Sequence, residues 1–377
     1  MIKSNNQHFG YLVDGKFVSS KAEAIALAGS VDKVNLYFLN QEWKDYDWSV
    51  EPTKSFQQLV DEQCHRIRAQ YNWVALLFSG GYDSVTILNG FLRNNLRIDE
   101  FIFWDREWET VSLTETQYAV SFAHDLQKTV WPNLKLTFYK RTIKSVVDFY
   151  RRYREDWINH PGEQLGLTKN IRDLEFEVFG EILGAHQRSR RIVVEGRDKP
   201  RLDLYDNKWY MMMTDGLLKW CMGNSALQFF YDPNFPEIHA KQCYMMIDWL
   251  EENFDVTPEL VHKIQGHAIG GTIYAQWNLA VGRDPVFHDI PKYGQGIKKI
   301  SAGGYLCPDS RFIEDHIKSI APDSYNIWAS GIDEIKREWA SSWDDTRNEF
   351  RTVCGDKHYM RDFDPLRRKA KCLHIKD

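Results

Sequence analysis

The residues best suited to chemistry stand in one run, Ser79-Gly80-Gly81-Tyr82-Asp83-Ser84. Two adjacent glycines let the backbone approach an oxyanion with no Cβ in the way. Their amides, with those of a helix starting directly after them, would converge on one anion, and the helix dipole adds positive potential there. Ser79 and Ser84 supply hydroxyl donors. Asp83 would repel bare phosphate, so its presence points either to a divalent cation beside the phosphate or to capping of the helix amides. The plainer alternative is a tight Gly-Gly turn with Asp83 or Ser84 as an N-cap. Five specified residues at about one in fifteen each recur by chance in a chain this long about once in two thousand sequences. The flanking pattern weighs further toward anion binding.

That pattern must deliver the loop to the right place. Residues 73–78 (Trp-Val-Ala-Leu-Leu-Phe) form a continuous apolar run, as in a strand buried on both faces of a parallel sheet. A helix is expected over 84–94 and a second strand over 100–104, which makes a βαβ unit. Helices are expected over 113–126, 143–153 and 172–186, and strands over 134–139 and 191–195. Strands alternating with helices predict an α/β fold with a doubly wound parallel sheet. Upstream, Ser55 with Gln58 fits a capping box, and Phe56, Leu59, Val60, Cys64 and Ile67 share one helical face. Residues 1–54 read as a small α+β leader, with a hairpin turning at Asp14-Gly15, a helix over 20–28 and a strand over 34–39. Residues 55–210 are the α/β domain. Residues 211–377 read as a mainly helical, aromatic-rich part, with helices over 217–222, 237–253, 258–265 and 332–343.

A second charged loop follows the strand 191–195: Glu195-Gly196-Arg197-Asp198-Lys199-Pro200-Arg201. In a 3-2-1-4-5 sheet its strand lies beside the first loop's strand, so both loops open on one crevice. There Lys199, Arg197 and Arg201 could neutralise a leaving anion, and Asp198 could hold a cation. The alternative is a solvated charged turn. Trp104 and Asp105, ending the second strand, are placed to stack on a base and to accept from a hydroxyl, although Trp104 also suits a core. Asp215 and Lys219 fit a surface i,i+4 ion pair. An acceptor pocket over about 215–305 would instead turn Lys241 and Asp215 inward among Trp220, Phe229, Phe230, Tyr231, Tyr244 and Trp249.

Residues 78–84 resemble the PP-loop of the ATP pyrophosphatase superfamily, which includes the synthetase domain of asparagine synthetase, GMP and NAD synthetases, tRNA thiolation enzymes and phosphoadenylylsulfate reductases. The Gly-Lys-Ser/Thr of a Walker loop is absent. The resemblance implies a Rossmann-like sheet, ATP with Mg2+, and activation of an acceptor oxygen as an adenylate with release of pyrophosphate. Carried onto this sequence, it implies nucleotide contacts from Ser79, Gly80, Gly81, Asp83, Ser84, Trp104, Asp105 and Gly196. It also implies metal contacts from Asp83 and Asp198, and catalytic roles for Lys199, Asp198 and Arg201. The stretch Leu-Leu-Phe-Ser-Gly-Gly-Tyr-Asp-Ser-Val-Thr-Ile-Leu is most similar to the asparagine synthetase domain, but position 2 is Ile2 and no glutaminase domain is expected before residue 55. Residues 103–110 resemble the reductase branch instead, without its cysteine motif.

Composition narrows the partners. A net charge of −5 gives no global attraction to nucleic acid or anionic membranes, so any such contact would need a local patch, for which Arg361 and the basic residues of 367–371 are candidates. No apolar run is long enough to span a bilayer and the first residues are polar, so a cytoplasmic protein is expected. Six scattered cysteines suit neither a zinc site nor a disulfide framework and read as reduced. The expected activity is ATP-dependent adenylation of a small-molecule acceptor by a ligase or transferase, with a homodimer left open. A nucleobase- or tRNA-modifying enzyme, a sulfonucleotide reductase-like protein and a non-catalytic nucleotide sensor are the rivals.

Overall fold

The computed structural model describes residues 9–18, 21–38, 41–106, 112–142, 190–196, 200–215, 226–265, 318–319, 322–338, 340–344, 349–351 and 353–365. The expected helices over 143–153, 172–186 and 217–222 lie outside these residues, as do Lys219 and the basic run 367–371.

The leader is α+β. Strand β1 (Phe9–Val13) turns at Asp14 and Gly15, both at positive φ (47° and 77°), into β2 (Lys16–Val18). Helix α1 (Lys21–Ala28) follows, and β3 (Asn35–Phe38) pairs antiparallel with the other edge of β1, ahead of α2 (Gln41–Asp45).

The capping box forms. The Ser55 hydroxyl accepts from the Gln58 amide and the Gln58 side chain accepts from the Ser55 amide, starting α3 (Phe56–Gln70). Its apolar face, Phe56 to Ile67, is buried as the spacing predicts. Then come β4 (Trp73–Leu77), α4 (Tyr82–Arg93), β5 (Glu100–Arg106), α5 (Ser112–Thr129), β6 (Lys135–Arg141) and β7 (Arg191–Glu195). Val74, Ala75 and Leu76 have no exposed surface, which is why β4 can occupy the middle of a sheet.

Further on, β8 (Arg201–Tyr205) and β9 (Lys208–Thr214) form a hairpin over Asp206 and Asn207, both at positive φ. A short β10 (Ala226–Gln228) follows, then α6 (Pro236–Asn253), α7 (Pro258–Gln265), α8 (Pro322–Glu338), the two-residue pair β11 (Trp343–Asp344) and β12 (Glu349–Phe350), and β13 (Cys354–Asp362). The parallel sheet runs β10-β7-β4-β5-β6, and a separate antiparallel sheet runs β13-β9-β8. Counted along the chain from β4, the parallel strands lie in the order 3-2-1-4-5 from the β6 edge.

Two expectations need correction. Beyond 211 the described residues include strand as well as helix: β9 crosses position 210, β10 joins the parallel sheet, and β13 adds nine residues of strand. The period-two burial of β8 and β9 carried this signal, masked by aromatic and methionine density. The last helix among the described residues is α8, beginning with Pro322 rather than near 332, and it ends before a 3-10 turn at Ala340–Ser342. Proline with its fixed φ suits a first helical turn.

At the amino end of the sheet, Asp99 is almost fully buried. It accepts from the Val74 amide (2.9 Å), from Arg68 Nη1 (2.6 Å) and from Arg97. Arg68 also donates to the carbonyls of Tyr71 and Asn72, so one guanidinium ties the end of α3 to the starts of β4 and β5. Burial pushes the Asp99 carboxyl up, but the bonds from Arg68, Val74 and Arg97 outweigh it and hold it below the usual carboxylate range. A depressed carboxylate contributes stability above its unfolded pKa and loses it as pH falls through the folded value. We predict that Asp99→Asn lowers stability by about 1.5–3 kcal/mol at pH 7. Urea unfolding across pH checks this: the gap from wild type should close as pH drops below about 4, and a pH-independent gap would contradict it.

Candidate functional site

Strand β4 has partners on both sides, and its hydrogen bonding to β5 ends where the Phe78 amide donates to the Ile102 carbonyl (3.0 Å). The chain then leaves the sheet. Gly80 turns it at φ 76°, and a Cβ there would lie 3.1 Å from that of Ala119 on α5. Gly81 is the N-cap of α4 and has no side chain to cap it, so the first-turn amides of α4 start beside a bare backbone. The Ser79 hydroxyl is exposed, accepts from the Gly81 amide (3.2 Å) and lies 3.4 Å from the Ser84 hydroxyl. Ser84 is buried and donates to the Gly81 carbonyl (3.1 Å). The loop is thus held by its own serines, with Tyr82 and Asp83 half-buried at the helix start.

The second loop meets the first. Strand β7 pairs with β4 and ends at Glu195; a Cβ added to Gly196 would lie 2.9 Å from Asp83 Cβ, 2.9 Å from Ile87 Cδ1 and 3.0 Å from Phe230 Cε2. Gly196 and Asp83 are therefore in contact where the strand order reverses, the position at which open α/β sheets form their crevice. Trp104 and Asp105 lie on β5, two and three residues past the last β4 contact at Ile102, and pair with Tyr139 and Lys140 of β6. Arg201 is not on this edge of the parallel sheet: it opens β8, opposite Met212 of the antiparallel sheet. Arg197, Asp198 and Lys199 lie outside the described residues.

Three residues given functional roles by the sequence have other partners. Asp215 is buried, 2.7 Å from Lys21 and 3.3 Å from the Tyr11 hydroxyl, and its carboxylate accepts from the Val353 amide (3.1 Å). It fastens the leader to the antiparallel sheet rather than facing an acceptor. Lys241 pairs with Glu51 (2.5 Å) and donates to the Pro52 carbonyl. Arg361 is bound by Glu251 and Asp248, so it is not a solvated basic residue. Phe229, Phe230, Tyr231 and Tyr244 are core residues, not the lining of an open pocket.

Sequence reasoning missed two contacts at the site. Phe230 reaches Gly196 and stacks on Phe56. The segment carrying it is stitched to α3 by Gln63 donating to Asp232 (2.7 Å) and by Arg66 over the Phe235 ring (4.8 Å). At the ends of neighbouring parallel strands, Gln228 Nε2 donates to Glu195 Oε1 (2.5 Å), both side chains buried. Only the apolar run before Glu195 hinted at this. Among the described residues no group of three or more His, Cys, Asp or Glu side chains could hold a metal by itself, and no helix is long and apolar enough to cross a membrane. No model of a known protein family matches the chain, and no curated protein does.

The two glycines give a direct check on the geometry. Gly80→Ala, at positive φ and against Ala119, should cost about 1–2 kcal/mol in urea unfolding. Gly196→Val should shift the amide resonances of Asp83 and Ile87. An unperturbed α4 start in that variant would contradict the contact.

Proposed function

We propose that this chain binds ATP at the Ser79–Ser84 loop and cleaves it between the α and β phosphates, transferring AMP to an acceptor oxygen. The observation that carries this reading is the meeting of that loop with Gly196 at the reversal of a five-stranded parallel sheet. The residues fit a phosphate: two glycines without side chains, an exposed serine hydroxyl and a glycine N-cap that makes no side-chain cap bond.

In this reading the loop amides and Ser79 hold the phosphates, while Trp104 and Asp105 lie toward the nucleoside. Asp83, with Asp198, would hold Mg2+, which ordinarily takes one or two carboxylates together with substrate phosphates. Bound there, the ion offsets phosphate charge. The acceptor oxygen forms a bond to the α-phosphorus, the α–β bridging bond breaks, and pyrophosphate leaves with both electrons of that bond. Lys199 neutralises its growing charge. Catalysis then rests on in-line placement and charge stabilisation more than on a protein nucleophile.

Ser79→Ala combined with Asp83→Ala should weaken MgATP binding at least about tenfold in calorimetry, the loss of roughly one charge-assisted contact. The urea midpoint should stay near wild type, since Ser79 is exposed and Asp83 only half-buried. Unchanged affinity would remove the assignment.

A further inference from the structure

The buried pair at the ends of β7 and β10 is not explained by packing alone. Glu195 and Gln228 are directly opposite in parallel register, 1% and 2% exposed, at the same sheet edge as the loop and one residue before Gly196. Gln228 donates through Nε2 to Glu195. Its other amide atom, Oε1, is buried and has no hydrogen-bond partner among the described residues. An amide kept in a core with half its bonding capacity unmet lowers stability, and such groups call for another explanation. Methionine would fill similar volume at no such cost.

The contact has a direction: the Gln228 amide, donating through Nε2, fixes the orientation of the Glu195 side chain. The carboxylate is thereby held on the strand whose next residue touches Asp83. On the other side, Phe230, two residues after Gln228, closes on the same Gly196.

We propose that Gln228 is a positioning residue of the nucleotide crevice: it orients the Glu195 carboxylate on β7, and that orientation is needed for turnover rather than for ATP binding. This rests on the ATP-cleaving reading above, and two measurements separate the two claims. MgATP affinity by calorimetry and the rate of AMP formation from MgATP are followed in wild type, Gln228→Met and the exchanged pair Glu195→Gln with Gln228→Glu. The exchanged pair keeps one amide and one carboxylate in contact, so it retains the bridge if the single variant fails to fold. Wild type that neither binds MgATP nor releases AMP overturns the ATP-cleaving reading and this inference with it. Given a competent wild type, Gln228→Met should lose about tenfold to a hundredfold in AMP formation, the range for removing the partner of a functional side chain. Its MgATP affinity should stay within about twofold. The exchanged pair should fold, bind MgATP and be at least as impaired. An exchanged pair as active as wild type would show the bridge to be only structural, and equal losses of affinity and rate in Gln228→Met would show a distorted loop; either overturns the proposal.

Discussion

Strand β4 is paired on both sides, with β5 and with β7, and this constraint decides where the chain can leave the sheet. A strand buried on both faces and both edges has no freedom to slide, since a one-residue slip would turn every side chain to the other face. Its last hydrogen bond, from Phe78 to Ile102, therefore fixes the origin of the loop. From that origin only a glycine can take the left-handed turn of residue 80 beside Ala119 without strain. The start of α4 is thereby set beside Gly196 by the fold itself.

The opposite end of the sheet shows what a purely structural use of charge looks like. Asp99 and Glu100 are buried and strongly hydrogen-bonded, Asp99 to two arginines and Glu100 to Lys135, Thr137 and Trp73. Both carboxyls are held low by those bonds against the upward push of burial. Such shifts often mark functional sites, yet here each acid is fully engaged at the amino ends of the strands, away from the crevice. At the carboxyl end the described polar groups bond mainly to one another, Ser79 and Ser84 within the loop and Gln228 to Glu195.

Local features were legible in the sequence. The capping box, the buried run of β4 and the glycine loop each depend on residues within a few positions of one another, so their physics is written locally. Gly196 was also readable as a small residue after a strand. What was hidden is non-local. Lys241 meets Glu51 across 190 positions and Asp215 meets Tyr11 across 204, and a charge read without its partner looks available for chemistry. The β8–β9 hairpin is a different case: its Asp206-Asn207 turn is a local signal, yet no element was expected over 201–214.

The central claim concerns which bond of ATP is broken at this crevice. The most direct measurement is to incubate the purified chain with MgATP and candidate acceptors and to separate the nucleotide and phosphate products. The account predicts AMP and pyrophosphate in equal amounts, abolished by Ser79→Ala with Asp83→Ala. Release of ADP and inorganic phosphate by the wild-type chain, equally lost in that variant, would contradict it.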